Sequence, residues 1–390
     1  MLRNILPHKR DRMILFPAAG SQLIVTTALF LMPTLIDTLQ VAGIFSARGA
    51  GLLLSMELAV SALTTLGLSA WFRTEHPRAW ALSGGLLTIG GTALTLLAPS
   101  PSLFFVSRLI AGIGAGIVAA NATSVLSRGI DREKIIAILT MISIVNAALW
   151  LVVMPYSVDR FGYRGAYACI LLICLAGTCL LARLPSSPAR QQVSRQSSRS
   201  PLSSAAALVV LAIFLTQLGQ GAFWSLEDSF GRRAGFSSHG IGVLLSAATL
   251  LLLLGAMGAA WAGDRFGRFP SMQSLILVNA VSIVLISTVA VHWVFIAANV
   301  LQAVTNLSSL IYQLGLSASL DHTGRLVAAA TGLVTLGNGL GPSLSTSLSA
   351  AFGASSVGIV VLTFNILALI AYSAIRFRYA GESRVSAYLT

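Results

Sequence analysis

The chain has 390 residues, 56% of them hydrophobic and only 9% charged, with a mean hydropathy of +0.84; that balance excludes an ordinary soluble domain and indicates an integral membrane protein. Its two lysines, Lys9 and Lys134, do not follow glycine in a phosphate-cradling loop, which excludes an ATP motor. Five scattered histidines and three cysteines spaced five apart, Cys169, Cys174 and Cys179, indicate no metal site, no cofactor and no disulfide framework.

Apolar runs long enough to cross a bilayer, about 20 residues each, are predicted at 14–39, 50–71, 80–98, 102–122, 135–157 and 165–182. Six more follow at 204–226, 241–262, 271–290, 293–315, 326–349 and 354–376. The runs are continuous rather than alternating, which excludes a β-barrel. The first run is too long for a signal-peptide core and is expected to be retained as a helix. One hydrophilic stretch, 185–203, is rich in Ser, Gln and Arg and reads as a cytoplasmic tether. It divides the chain into a first six-helix bundle (1–184) and a second (204–390).

The two halves repeat at a constant offset of 191 residues. Between Asp37–Gly67 and Asp228–Gly258, ten of 31 positions are identical, among them Phe45/Phe236, Ser46/Ser237, Gly49/Gly240 and Gly51/Gly242. The same offset pairs Phe161-Gly162 with Phe352-Gly353. Duplicated bundles of apolar helices are the architecture of secondary transporters.

Orientation follows from the basic residues. With both termini inside, 19 of the 25 Lys and Arg are cytoplasmic, and only Arg48, Arg160, Arg164, Arg232 and Arg233 lie outside, as the positive-inside rule requires. The net charge of +13 is therefore a topology signal matched to anionic lipid, and nucleic acid is not an expected partner. A bacterial-type inner (plasma) membrane is the expected location.

Ionisable residues well inside the apolar runs are functional candidates because they are costly to insert. Only Glu57 and Arg108 qualify. Each lies about six residues, or about 9 Å, from the outer end of its helix, so the two can meet at one level. The repeat positions hold Ala248 and Asn299, an asymmetry that favours function over scaffolding. Two readings stand: a permanent buried pair that fixes packing, and a carboxyl that exchanges a proton as the cation approaches or leaves. Asp37 and its twin Asp228 are expected at the outer ends of their helices, as caps or an outer gate. Neutral polar stripes at helical spacing, Gln217, Gln220 and Trp224 on one helix and Gln302, Asn306, Ser309 and Gln313 on another, are candidate solute contacts, joined by Asn146 and Trp150. Hydrogen bonding between helices is the alternative for each amide.

Two motifs carry a resemblance. Gly263-Asp264-Arg265-Phe266-Gly267-Arg268 is similar to the cytoplasmic Asp-Arg-x-Gly-Arg turn of the major facilitator superfamily, and Arg108-Leu109-Ile110-Ala111-Gly112-Ile113-Gly114 to its Arg-x-x-x-Gly-x-Gly signature. The chain resembles that family over essentially its whole length. The resemblance implies an all-α membrane protein of twelve transmembrane helices in two pseudo-symmetric six-helix bundles, with no enzymatic activity and no cofactor. It makes Asp264, Arg265, Gly267 and Arg268 a cytoplasmic latch. The first-half turn, Phe72-Arg73-Thr74-Glu75-His76, departs from the pattern, and the family's antiporter signature is missing from Met141–Pro155. The expected function is proton-coupled transport of a small organic solute by alternating access, by a monomer in the lipid bilayer. Export of amphipathic or drug-like compounds is favoured over uptake of a nutrient; a solute sensor with a transporter fold is the alternative of another class.

Overall fold

A computed structural model describes residues 9–71, 76–98, 100–126, 132–184, 204–320 and 325–379. The described residues form fourteen helices: α1 (Lys9–Phe30), α2 (Met32–Val41), α3 (Ala47–Trp71), α4 (Pro77–Leu97), α5 (Pro101–Leu126), α6 (Arg132–Phe161) and α7 (Tyr163–Leu181), then α8 (Ser204–Ser225), α9 (Glu227–Arg233), α10 (Ser238–Phe266), α11 (Arg268–Thr288), α12 (His292–Leu320), α13 (Arg325–Phe352) and α14 (Ser355–Tyr379). The tether 185–203 and the turn 72–75 lie outside the described residues.

Two of the twelve expected spans differ from the other ten. Among the described residues, ten helices are long and apolar enough to cross a membrane, and eleven if a bent pair counts as one. That pair is the first expected run, 14–39: it breaks at Leu31 into α1 and α2, bent by 51°. Pro33, in the first turn of α2, has no N–H to offer the preceding turn, which favours a break there. The other is α13, which covers the expected run 326–349 but is diluted by Thr331, Thr335, Asn338, Ser343, Ser345, Thr346 and several glycines. Its 28 residues span about 42 Å at 1.5 Å per residue, so its length suffices while its composition does not.

The internal repeat is visible in the helix boundaries. Displaced by 191 residues, the starts of α3, α4 and α5 at Ala47, Pro77 and Pro101 fall on the starts of α10, α11 and α12 at Ser238, Arg268 and His292. The ends of α4 and α6, Leu97 and Phe161, fall on those of α11 and α13, Thr288 and Phe352. Gly162 and Gly353, which follow α6 and α13, both take positive φ, 58° and 80°. That conformation is open to glycine at little cost, and it reverses the chain into the next helix in both halves.

The chain separates into two compact units, Met1–Ser46 with Leu53–Ser197, and Ala47–Leu52 with Ser198–Thr390. In the first, α1 packs on α5, α6 and α7, and α4 on α5 and α7; in the second, α8 packs on α12, α13 and α14, and α11 on α12 and α14. The same helix pairs therefore recur at the repeat offset. Each unit has its own buried cluster, with Ile24, Ala81, Val118 and Leu181 in the first and Ile213, Phe269, Met272 and Tyr372 in the second. Leu63, Leu172 and Leu254 are exposed, as side chains that face lipid should be. Lipid is as apolar as leucine, so helices associate through close packing and polar contacts rather than water exclusion. Gly112 illustrates this: a Cβ there would lie 2.6 Å from the carbonyl oxygen of Glu57, so glycine is what lets α5 touch the backbone of α3.

Candidate functional site

Glu57 on α3 and Arg108 on α5 meet inside the first unit. Arg108 is 1% exposed, and one terminal nitrogen donates to Glu57 Oε1 at 3.2 Å. The rest of the guanidinium is held independently of the carboxylate. Its Nε donates to Thr95 Oγ1 at 3.0 Å and its other terminal nitrogen to Thr92 Oγ1 at 3.2 Å, both on α4. The Tyr167 ring on α7 lies beneath it, 4.9 Å from the guanidinium carbon to the ring centre. Thr95 also shares a 2.8 Å hydrogen bond with Ser107. Four helices thus fix one cation, and its planar fork uses three separate donors, which a lysine could not reproduce.

Beside the pair is a small cavity, with about 20 Å³ open to the centre of a water molecule, which is room for about one water. Glu57, Arg108, Thr88, Thr92, Ser61 and Thr27 are among the residues that line it. At the repeat positions of the second unit, Ala248 and Asn299 are buried, and Asn299 bonds back to the Phe295 carbonyl at 3.0 Å within its own helix. The charged centre belongs to the first unit alone.

The buried glutamines of the second unit's stripes are hydrogen-bonded between helices. Gln302 donates to Gln220 at 3.1 Å, linking α12 to α8. Gln217 accepts from Asn338 of α13 at 2.9 Å. Gln313 accepts from Thr216 and from Tyr372, each at 3.0 Å. Ser309 donates to the Asn306 carbonyl at 2.8 Å. Trp224 and Asn306 are half-buried, as are Asn146 and Trp150 on α6 of the first unit. For the buried glutamines the arrangement is interhelical hydrogen bonding; Asn338, the partner of Gln217, had no place in the sequence pattern because it sits in a Gly-rich string.

Asp37 is half-buried on α2. Asp228 is buried on α9, with its Oδ1 3.6 Å from Nε of Arg232 one turn on. At the expected latch, Gly267 (φ 81°) ends α10 and opens α11, so the reversal depends on it. Arg265 and Arg268 are exposed, and Arg265 lies over the ring of Phe266 at 5.8 Å. The side chain of Asp264 is outside the described residues, as is Glu75 of the first-half turn.

A further buried carboxyl stands just outside the expected apolar runs. Glu227 is 0% exposed, and neither of its carboxyl oxygens has a hydrogen-bond partner. It escapes a hydropathy reading because it stands one residue past the apolar run that ends at 226. The repeat could have found it: 191 residues earlier stands Ile36, 2% exposed, so Glu227 puts a carboxyl where the first half buries an alkyl chain.

Duplicated units of lipid-facing helices, with a polar centre enclosed in one of them, define a multi-pass membrane protein of transporter type. The sequence profile of the Major Facilitator Superfamily matches residues 14–211, more than half of the chain, and the protein belongs to that family of secondary transporters; it is not an enzyme. No curated protein matches it in sequence. Solved structures share the fold at low identity. A bacterial homolog of the human lysosomal transporter Spinster, inward-facing and unoccupied, superposes with a TM-score of 0.73 at 12% identity, covering 97% of this chain and 98% of its own. A POT family transporter in complex with 5-aminolevulinic acid gives 0.72 at 15%, covering 96% and 99%. The nucleoside transporter NupG gives 0.69 at 14%, covering 93% and 99%.

Proposed function

We propose that the protein couples a proton gradient to the movement of a small organic solute by alternating access, with Glu57 as the carboxyl that exchanges the proton and Arg108 as the cation that sets when it does. The observation that carries this reading is the position of Glu57: it holds a fixed guanidinium and borders a water-sized cavity. Arg108 stays in place without Glu57, through Thr92, Thr95 and Tyr167, so the carboxyl can change protonation state without the centre collapsing.

The solute contacts we propose are Gln217, Gln220, Trp224, Gln302 and Asn306 in the second unit and Asn146 and Trp150 in the first. Because Gln220–Gln302 and Gln217–Asn338 already satisfy one another, a solute's polar group exchanges one hydrogen bond for another at little net gain. That supports neutral, amphipathic compounds and hence export, with uptake of a nutrient as the second reading. We further propose that both termini are cytoplasmic in an inner (plasma) membrane, that the protein works as a monomer, that Asp37 and Asp228 serve an outer gate, and that Asp264, Arg265, Gly267 and Arg268 latch the cytoplasmic side.

The test begins with purified protein in detergent, screened for thermal stabilisation against a solute library, since binding raises the midpoint by mass action. The strongest hit is then taken into proteoliposomes with an imposed pH gradient. Glu57→Gln should abolish gradient-driven accumulation while leaving the ligand-induced stabilisation. Undiminished uphill transport by that variant would remove Glu57 from the mechanism.

A further inference from the structure

We propose that Glu227 is a second proton-binding site, in the other half of the molecule: it holds its proton in the conformation described here and gives it up when water reaches that end of the bundle. Its coupling to transport rests on the function proposed above; its occupancy by a proton does not.

The argument starts from the face of α9 on which Glu227 lies. Three, four and seven residues on stand Phe230, Gly231 and Ala234, one helical face, and all are buried. That face is turned on an apolar wall, because a Cβ at Gly231 would lie 2.8 Å from Ile241 and 3.2 Å from Phe295. Phe223, one turn earlier, and Phe230 stack at 6.2 Å within the same buried cluster. At the repeat position Ile36 occupies the equivalent buried place, so the position is built for an alkyl side chain. Here it holds a carboxyl with no hydrogen bond to either oxygen.

No cation among the described residues compensates it. On α9 itself, Arg232 is within 3.6 Å of Asp228 and donates to Ser238, and Arg233 donates to the Ser287 carbonyl at 3.1 Å. Helix α8, which packs on α9, contains no charged residue. Helix α10, the other neighbour, brings His239 at its near end, with Asp264 and Arg265 at its far end. On α12, His292 engages the Ala234 carbonyl at 2.7 Å and stacks on Phe236. Arg48, in the stretch 47–52 of the same unit, is exposed. The nearest charge to act on Glu227 is the carboxylate of Asp228, which has the wrong sign to stabilise a second anion. Burial first and Asp228 second hold the Glu227 carboxyl well above the usual carboxylate range. A carboxylate so placed takes up a proton rather than remain charged. The contrast with Glu57 is that Glu57 has a cation and Glu227 has a proton.

The sign of the pH dependence follows. Above the ordinary glutamate range the unfolded chain has lost this proton and the folded protein keeps it, so folding binds a proton and stability falls as pH rises towards the folded pKa. Infrared spectra of the purified protein in detergent, titrated in D2O, should show the carbonyl stretch of a protonated carboxylic acid at neutral pH. That band should be lost in Glu227→Gln and in Glu227→Ile, which copies the first half, and retained in Glu57→Gln. The thermal midpoint of the parent should fall with rising pH while the band persists and level off as the band titrates away, and both Glu227 variants should lose that part of the fall. A parent spectrum with no such band at neutral pH overturns the proposal without recourse to any variant. So does a band that survives both Glu227 substitutions, or a midpoint that rises with NaCl at constant ionic strength in the parent alone, which would mean an ionised carboxylate holding a metal cation. If the band belongs to Glu227 yet a pH gradient drives no transport, the site stands and the coupling reading falls; if the gradient drives transport and the band is absent, the reverse holds.

Discussion

A guanidinium keeps its charge inside a protein, whereas a carboxylate left alone can be neutralised by a proton. This difference orders the substitutions at the centre. Glu57→Gln strands a permanent cation among Thr92, Thr95 and Tyr167, and breaking a buried pair from one side costs about 3–5 kcal/mol. Arg108→Gln strands only a carboxyl, so it should be the milder change, and milder still at acidic pH. The double variant should recover much of the loss, since it leaves neither charge unpaired. Thermal midpoints of the three proteins at pH 5 and pH 8 would check the order, and equal losses at both values would contradict it. Thr95→Val, which removes partners of both Arg108 and Ser107, should cost about 1–3 kcal/mol by the same measurement. Much of this centre was legible in the sequence: two charges in apolar runs at matching depth suggested a meeting, and they stand 3.2 Å apart. Thr92, Thr95 and Tyr167 were not, because hydroxyl residues are ordinary in spans and only packing shows which of them face a cation.

At the scale of the helices, two glycines make opposite predictions. Gly112 is needed for space: any side chain would press on the Glu57 carbonyl, so Gly112→Val should force α5 away from α3, costing about 1–3 kcal/mol and disturbing the ion pair with it. Gly267 is needed for its backbone, since φ of 81° with ψ of 151° between α10 and α11 is unfavourable by about 1–3 kcal/mol for a residue with a Cβ. Gly267→Ala should therefore lower the thermal midpoint while leaving the pH dependence proposed for Glu57 unchanged; a shift in that dependence would tie the reversal to the charged centre. The existence and order of the helices followed from hydropathy, and the 191-residue repeat of the sequence recurs in their boundaries. The break at Leu31 was missed because a proline within an otherwise apolar run leaves the hydropathy signal intact. Glu227 was missed for the complementary reason: the local signal ended at the last apolar residue, although the chain continues into a short buried helix.

For the molecule as a whole, separate buried clusters in the two units predict that the covalent link between them is dispensable for their integrity. A protease site placed within 185–203 should allow cleavage of the folded protein with little loss of thermal stability, measured before and after digestion; collapse on cleavage would mean that the units do not stand alone. The charged centre also has an electrical side, because Glu57 and Arg108 lie in one unit and cancel there. While the pair is intact, the membrane voltage does no net work on it as that unit moves. A proton on Glu57 leaves Arg108 uncompensated, and each 100 mV then acts on the movement with up to about 2.3 kcal/mol. Voltage therefore grips the protonated form and releases the paired one, so under the proposed coupling the electric field across the membrane and the proton gradient would act on this protein through the same carboxyl group.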